Sequence, residues 1–244
     1  MRAARFFIDA PLALGMQIEL PFHVAHHAVR VLRLSDGDSI LLFNGRGGEF
    51  PARLAIDGSR AIADIQAHDA RERESPLSVT LVQAWIATDK LDWVIEKSVE
   101  LGVQSIVLTP AQRAVVRVAG DRLAKRLARL RELIVAACAQ CGRNRIPLID
   151  AASTFASALH AGLSEGAMGL LLDPNSALRL SEAQLDNRRV ALAVGPEGGF
   201  DDDERAIARQ LGYREHRLGP RILRTETAGL AALAVLQATA GDFR

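Results

Sequence analysis

Two glycine-bearing loops near the C-terminal end of the sequence place the strongest constraint on the fold. The first, residues 195–200, follows an apolar run of strand length and precedes an acidic segment typical of a helix start. The second, residues 218–227, follows another short strand-like run and precedes the helix-forming residues 228–240. Two strand-to-helix loops this close together predict a ligand held by backbone groups at neighbouring strand ends.

The pattern upstream of these loops predicts an α/β domain after a smaller β domain. Residues 77–86 and 103–108 have strand character and flank a helical pattern over residues 89–101, which indicates a mostly parallel sheet. Trp85 and Trp93 are expected in its core. Residues 1–70 contain short strand-like runs separated by turn residues, which predicts a small barrel-like module. The polar segment 71–76 ends in proline and is predicted to be a linker, so that the second domain spans residues 77–244.

Composition narrows the class of protein. The chain has 244 residues, 49% of them hydrophobic, which is enough to bury one large core or two moderate ones. Its two cysteines argue against a disulfide framework. Asp9 and Pro11 interrupt the apolar start before it reaches the length of a signal peptide, and no apolar run approaches the roughly 20 residues that span a bilayer. We expect a soluble cytoplasmic protein with no membrane partner.

The charge is unevenly distributed. The net charge of the chain is only +1, yet residues 112–146 contain nine basic and two acidic side chains. A basic segment of this kind predicts a surface that follows RNA phosphates, although a solvated helix face explains the same residues. The candidate RNA contacts are Arg5, Arg30, Arg33, Arg113, Arg117, Arg122, Lys125, Arg126, Arg143 and Arg145.

No metal site is expected. Cys138 and Cys141 form an isolated C-x-x-C at the end of a predicted helix over residues 121–141, without the other ligands that zinc needs. His26 and His27 also lack a companion set of carboxylates or cysteines. Asp201 and Glu204 have the spacing of a capping box, which satisfies the free N–H groups of a helix start without an ion.

The two loops do not match the common nucleotide motifs. The sequence contains neither a P-loop nor a dinucleotide-binding fingerprint after its first strand. Backbone groups in such loops suit an adenine edge and an amino-acid moiety. The residue pattern alone does not select S-adenosylmethionine over other small ligands.

Several blocks resemble those of one family, the uridine-N3 methyltransferases of ribosomal small-subunit RNA, which form the RsmE-type branch of the SPOUT (α/β-knot) superfamily. The resemblance is strongest in Gly-Pro-Glu-Gly-Gly at 195–199 and in Leu-Gly-x-Arg-Ile-Leu-Arg-Thr-Glu-Thr-Ala at 218–228. Residues 27–34, 96–103 and 140–147 resemble further family blocks. One departure is Ala139, where a glutamate is expected, so no carboxylate role is assigned there.

The resemblance implies a PUA-like RNA-binding barrel, a trefoil-knotted domain with its knot at about residues 167–228, and a homodimer. It implies methylation of 16S ribosomal RNA with S-adenosylmethionine as methyl donor. The cofactor-binding residues it implies are Leu172, Asp173, Gly195, Pro196, Glu197, Gly198, Gly199, Leu218, Gly219, Ile222, Leu223, Arg224, Thr225 and Thr227. Arg224 is expected to stabilise the developing uracil oxyanion, and Glu197 or Glu226 to assist loss of the N3 proton.

Two other functions stay open at this stage. One is a related SPOUT methyltransferase that acts on transfer RNA, for example at a ribose hydroxyl. The other is an RNA-binding assembly factor that keeps the fold without catalysis.

Glu226 also has a purely structural interpretation, because an acidic residue in the first turn of a helix complements the helix dipole. The nearly all-apolar helix at 228–240 must be buried on more than one side, either in the core or against another subunit, and a homodimer is the simpler of the two explanations.

Overall fold

A computed structural model describes residues 3–58, 60–163, 166–185 and 188–243. The chain divides into two compact units. The first comprises Met1–Glu74 together with Cys138–Ile146, and the second comprises Ser75–Ala137 and Pro147–Arg244. The segment Cys138–Ile146 therefore packs with the N-terminal unit, although the sequence pattern places it within the second domain.

The first unit is built on a five-stranded sheet. Its strands are β1 (Ala4–Phe7), β2 (Gln17–Glu19), β3 (Ser39–Phe43), β4 (Phe50–Asp57) and β5 (Arg60–Ile65), in the order β1-β3-β4-β5-β2. Only the pair β1 and β3 is parallel. Alternate residues of β4 are buried, as a half-buried strand requires. The short helix α1 (Phe22–His26) continues as a π-helical turn, His27–Val31, and contributes Val24 and Ala28 to the core.

A buried cluster of ion pairs ties the segment 138–146 into this unit. Arg5 Nη1 lies 2.5 Å from Glu49 Oε2, and Arg73 Nη1 lies 3.0 Å from the same oxygen. Arg5 also donates to Asn144 Oδ1 and to the Arg143 carbonyl, while Arg143 pairs with Glu74. The side chains of Arg5 and Arg143 are only 4% and 5% exposed. These contacts join parts of the chain that are far apart in sequence, which explains why the segment belongs to this unit.

The second unit contains a six-stranded, wholly parallel sheet. In chain order the strands are β6 (Ser78–Ala84), β7 (Ser105–Thr109), β8 (Leu148–Ala151), β9 (Met168–Leu172), β10 (Arg189–Val194) and β11 (Arg214–His216). Their order in the sheet is β11-β9-β10-β6-β7-β8. The central strands β6 and β10 are almost continuously buried, as expected for a parallel sheet covered on both faces. The predicted α/β architecture is therefore confirmed.

Helices cover this sheet and complete its core. α2 (Thr88–Glu100) packs with α6 (Thr225–Ala240), which also contacts β6 and β10. α4 (Phe155–Gly162) packs on β6, β7 and β10 and against α5 (Asp202–Gln210). α3 spans Asp121–Cys141, the bounds that its apolar stripe predicts. No helix in the described ranges is long and apolar enough to cross a membrane.

Two predictions about individual core residues have different outcomes. Trp85 is buried, as predicted, but Trp93 is 53% exposed on α2, so its predicted place in the core is wrong. Lys97 Nζ lies 5.0 Å from the centre of the Trp93 ring, which partly covers this aromatic face. Cys138 is buried, and burial raises the pKa of its thiol to about 12. A thiol that stays protonated at neutral pH fits a structural role better than a metal or redox role.

The ion-pair cluster makes the stability of the protein depend on pH. Burial acts to raise the pKa of Glu49, but hydrogen bonds and charge from Arg73 and Arg5 outweigh it and lower the pKa below its ordinary value. Glu49 therefore stabilises the fold at neutral pH, and this contribution is lost as the pH falls through its lowered pKa. We predict that Glu49→Gln costs about 3 kcal/mol at pH 7, because it leaves buried arginine charge without a partner.

Denaturant unfolding at pH 7 and in acid would measure this effect. The difference in unfolding free energy between Glu49→Gln and the parent protein should shrink as the pH is lowered, because Glu49 of the parent then becomes protonated and loses its charge. Glu19→Gln, at an exposed position of β2, is the matched control and should unfold like the parent. A difference that is independent of pH would contradict the assignment.

Candidate functional site

A cavity of about 410 Å³ lies at the carboxyl ends of β9, β10 and β11. Three loops meet there, one after each strand, and this edge of a parallel sheet is where α/β proteins bind ligands. The predicted cofactor residues that line it are Leu172, Asp173, Gly195, Pro196, Glu197, Gly198, Gly199, Leu218, Gly219, Ile222, Leu223 and Thr225. Arg224 and Thr227, which the resemblance also implies, are exposed and do not line the cavity.

The loop after β10 turns so tightly that it requires glycine. A Cβ atom on Gly195 would lie 3.1–3.2 Å from backbone atoms of Gly199 and Phe200, so this backbone would have to shift to accept a side chain. Gly199 has a φ of +68°, and its N–H donates to the Pro196 carbonyl at 2.9 Å. A Cβ atom on Gly199 would meet nothing within 4 Å, so the backbone of this loop faces open space in the cavity wall. Backbone groups can thus approach a ligand closely.

A buried hydroxyl joins two of the three loops. Thr225, the first residue of α6, donates from Oγ1 to the Gly195 carbonyl at 2.6 Å and accepts from Gln83 Nε2 at 3.3 Å. Thr225 is 5% exposed and Gln83 is fully buried. The loop after β10, the end of β6 and the start of α6 are therefore held in one arrangement, which leaves the cavity shaped before any ligand binds.

An ion pair braces the third loop. Asp173 Oδ2 lies 2.8 Å from Arg205 Nη1, and Asp173 Oδ1 accepts from the Asn175 N–H at 2.8 Å. Hydrogen bonds to Asp202 and Asp173 raise the pKa of Arg205 further above its ordinary value. Both carboxylate oxygens of Asp173 therefore already have protein partners. The structure gives this predicted cofactor residue a role in holding its loop against α5.

Three charged side chains meet close to the cavity. Lys90 Nζ, in the first turn of α2, lies 3.3 Å from Glu197 Oε1 and 3.8 Å from Glu226 Oε2. Glu226 Oε2 is buried and accepts no hydrogen bond from the residues that the structure describes. The two candidate carboxylates are thus brought together by a lysine that the sequence analysis did not select. Arg224 is the N-cap residue of α6, and its side chain does not cap the helix.

The candidate RNA contacts separate into two groups. Arg5 and Arg143 are buried in the ion-pair cluster of the first unit, so neither can present its charge to a phosphate, and their predicted RNA role is withdrawn. Arg126 is mostly buried against Asp92, and Arg145 pairs with Glu72 while staying exposed. The exposed remainder is Arg30, Arg33, Arg113, Arg117, Arg122 and Lys125.

Arg113 also belongs to the cavity. Its guanidinium donates to the Gly198 carbonyl at 3.0 Å, and its side chain lines the wall. The sequence predicts only an RNA contact for Arg113, since its pattern does not connect residue 113 with the glycine loop. Within the described part of the chain, no group of three or more histidine, cysteine or acidic residues is placed to hold a metal ion.

The chain matches two family models. One describes an RNA methyltransferase domain and matches residues 73–237, and the other describes an RNA methyltransferase PUA domain and matches residues 23–66. Among curated proteins, ribosomal RNA small subunit methyltransferase E of Buchnera aphidicola is 30% identical over 98% of this chain and 95% of its own. The protein of the same name from Rickettsia conorii is 32% identical over 96% and 95% of the two chains.

Solved structures agree with these matches. Ribosomal RNA small subunit methyltransferase E of Neisseria gonorrhoeae, solved with S-adenosylmethionine, superposes with a TM-score of 0.91. It is 37% identical and both chains are covered completely. A methyltransferase of Legionella pneumophila, solved with the bound cofactor SAM, superposes with a TM-score of 0.93 at 33% identity, over 99% of this chain and 100% of its own.

The hydroxyl of Thr225 provides a test of how the site is held together. Thr225→Val keeps the shape of the side chain but leaves the buried Gly195 carbonyl without its donor, so we predict a loss of about 1–3 kcal/mol in unfolding free energy. Thr225→Ser keeps the hydroxyl and should recover most of it. Thr227→Val, two residues away on the exposed side, is the control in denaturant unfolding. Equal stabilities of the two valine variants would contradict the role of the hydroxyl.

Proposed function

Because the chain belongs to the RNA methyltransferase family that includes the proteins named ribosomal RNA small subunit methyltransferase E, we propose that it methylates N3 of a uridine in 16S ribosomal RNA. The methyl donor is S-adenosylmethionine and the product is 3-methyluridine. One observation carries the proposal: three strand-end loops form a single cavity in this chain, and two relatives of solved structure hold that donor.

The cavity suits a ligand with an adenine ring and an amino-acid end. Its volume of about 410 Å³ is in the range of small-molecule sites. Leu172, Ile222 and Leu223 supply apolar walls, and the glycine loop offers backbone groups. S-adenosylmethionine supplies a methyl group that is already activated by the positive charge on sulfur. The residues of the site therefore have to orient the two reactants and manage one proton.

Proton loss from uridine N3 is the chemical step that the protein must assist. We assign it to Glu226 or Glu197, and assign to Arg224 the stabilisation of negative charge on the uracil oxygen. Glu226 has the stronger structural support, because one of its oxygens is buried and has no hydrogen-bond partner among the described residues. Lys90 Nζ lies within 4 Å of both carboxylates and holds them close to each other. N3 lies on the pairing edge of the base, so the target must be unpaired or extruded.

The two units divide the work in this proposal. We assign RNA binding to a PUA-like domain of residues 1–70, with Arg30 and Arg33 as exposed contacts, and catalysis to residues 77–244 after a linker at 71–76. The exposed arginines 113, 117 and 122 and Lys125 extend the RNA surface onto the second unit. The protein acts in the cytoplasm, where its substrate is made.

We also propose a homodimer and a trefoil knot. α6 buries one side against β6, β10 and α2, while Leu230, Ala231, Ala234 and Val235 remain partly exposed along its length. A second copy is the simplest cover for such a surface. The proposed knot covers about residues 167–228. Its support comes from the chain after β11, where the backbone of Arg217 forms hydrogen bonds with Leu178 and Leu180 before the chain enters α6.

The reaction itself can be tested directly. The purified protein is incubated with methyl-labelled S-adenosylmethionine and either small ribosomal subunits or transfer RNA from a strain that lacks the gene. Mass spectrometry of the nucleosides should find labelled 3-methyluridine from small-subunit RNA. Label in transfer RNA or on a ribose would contradict the proposal. Failure to bind S-adenosylmethionine would instead favour a non-catalytic assembly factor.

The proton acceptor is tested by substitution of the two carboxylates. We predict that Glu226→Gln lowers the single-turnover rate roughly 100-fold, the lower end of what a general base contributes, while affinity for S-adenosylmethionine is kept. Glu197→Gln should have the smaller effect, because Glu197 is more exposed. The rates are measured at several pH values, with Glu182→Gln at an exposed position as control. Parental rates in both site variants would eliminate a carboxylate base.

A further inference from the structure

A second cavity, of about 590 Å³, lies at the other half of the sheet edge. It is formed by the residues that follow β6, β7 and β8 and by the segment 112–120, which precedes α3. Its floor is apolar and contains the buried rings of Trp85 and Phe155. Its mouth is polar, with the exposed side chains of Gln112, Arg117 and Ser153. An apolar floor beneath a polar rim is typical of a site for a flat ring that carries a polar or charged group.

The two cavities are lined by residues that contact each other or are adjacent in sequence. Phe200 lines the first cavity and Phe155 lines the second, and their ring centres are 4.8 Å apart. Arg113 lines the first, whereas its neighbour Gln112 lines the second. The two spaces are therefore neighbours, with the packed rings of Phe155 and Phe200 between them. A ligand that occupies both needs two groups joined by a short connection.

We propose that this second cavity holds the base of an unpaired nucleotide of the RNA substrate, next to the nucleotide that is methylated. The inference rests on the proposed function, because it takes RNA to be the substrate. Single-stranded RNA is recognised by stacking of unpaired bases on aromatic side chains, which Trp85 and Phe155 offer here. None of the residues assigned to proton transfer or charge stabilisation lines this cavity, so its occupant is a flanking base and not the reacting one.

Arg117 supplies the charge for such a nucleotide. It is exposed at the mouth of the cavity, and the described residues place no carboxylate within ion-pair distance of it. Glu204, the acidic residue in the lining, is buried and accepts hydrogen bonds from the N–H groups of Gln112 and Asp201. Its carboxylate holds the start of the segment and the cap of α5 and does not face a phosphate at the mouth. The net charge near the opening therefore favours an anion.

Trp85 makes the proposal measurable without catalysis. The chain has only two tryptophans, so in a Trp93→Phe background all tryptophan fluorescence comes from Trp85. Single-stranded oligouridylate is titrated into this protein in the presence of S-adenosylhomocysteine, and binding is followed separately by the anisotropy of a label on the RNA. Quenching of Trp85 that saturates with the anisotropy is the expected result. RNA binding with unchanged Trp85 fluorescence would overturn the proposal.

Two variants test the occupant. Ala119 lies in the segment 112–120, and Ala119→Phe places a ring in the second cavity. RNA binding should weaken roughly tenfold or more, because one base can no longer stack there. The quenching of Trp85 fluorescence by RNA should also be lost. Arg117→Ala should weaken RNA binding. It should also reduce the magnitude of the slope of log affinity against log salt by about 0.7, because one phosphate contact with a single strand contributes that amount. Arg214→Ala, an exposed arginine at the start of β11, is the control and should bind RNA like the parent.

The same variants separate this inference from the proposed function. Affinity for S-adenosylmethionine should be unchanged in Ala119→Phe and Arg117→Ala, while the KM for RNA rises and the single-turnover rate at saturating RNA is largely kept. If the parent binds RNA and quenches Trp85 but methylates no uridine, the nucleotide site stands and the proposed reaction fails. If the parent forms 3-methyluridine and both variants match its KM for RNA, the second cavity is not a nucleotide site.

Discussion

The hydrogen bond from the Thr225 hydroxyl to the Gly195 carbonyl is the interaction on which the candidate site depends most. It spans 30 positions of sequence and connects the start of the last helix to the glycine loop after β10. The parallel sheet brings these two segments to the same edge, and the threonine fixes their separation. Without that contact, a loop rich in glycine would have many conformations to lose when it binds a ligand. The buried hydroxyl of Thr225 therefore helps to preorganise the cavity, together with the ion pair that braces the loop after β9.

Glu204 performs a comparable task on the other side of the site. One of its oxygens accepts from the Asp201 N–H in the capping box of α5, and the other accepts from the Gln112 N–H at 2.8 Å. The helix that supplies Arg205 to the first cavity is thus joined to the segment that encloses the second. The sequence predicts only a helix cap for Glu204. Because the cap uses one carboxylate oxygen, the second oxygen can bind the segment beside the second cavity, and Glu204 thereby links the two cavities.

Features set by local sequence were predictable. The bounds of α3 follow from its apolar period, the capping box of α5 from the spacing of two acidic residues, and the strand-end loops from glycine and apolar runs. Features set by distant partners were not. Lys90 meets Glu197 and Glu226 only because α2 starts at the same edge of the sheet as the loops, and no periodicity records that meeting. Trp93 has the apolar character of a core residue, yet its position on α2 faces outward.

The buried arginines show why charge counts overstate an RNA surface. Residues 112–146 contain nine basic side chains, but not all of them are available. Arg143 forms an ion pair with Glu74, and both Arg126 and Arg129 form ion pairs with Asp92. Each of these guanidiniums would have to break an existing pair before it contacted a phosphate, and the free energy gained would be offset by that loss. Among the described residues, Arg113, Arg117, Arg122 and Lys125 are exposed and have no ion pair, and Arg113 and Arg117 line the first and second cavities. The basic charge that remains available to an anionic ligand is therefore smaller than the count of nine suggests, and Arg113 and Arg117 place part of it at the two cavities.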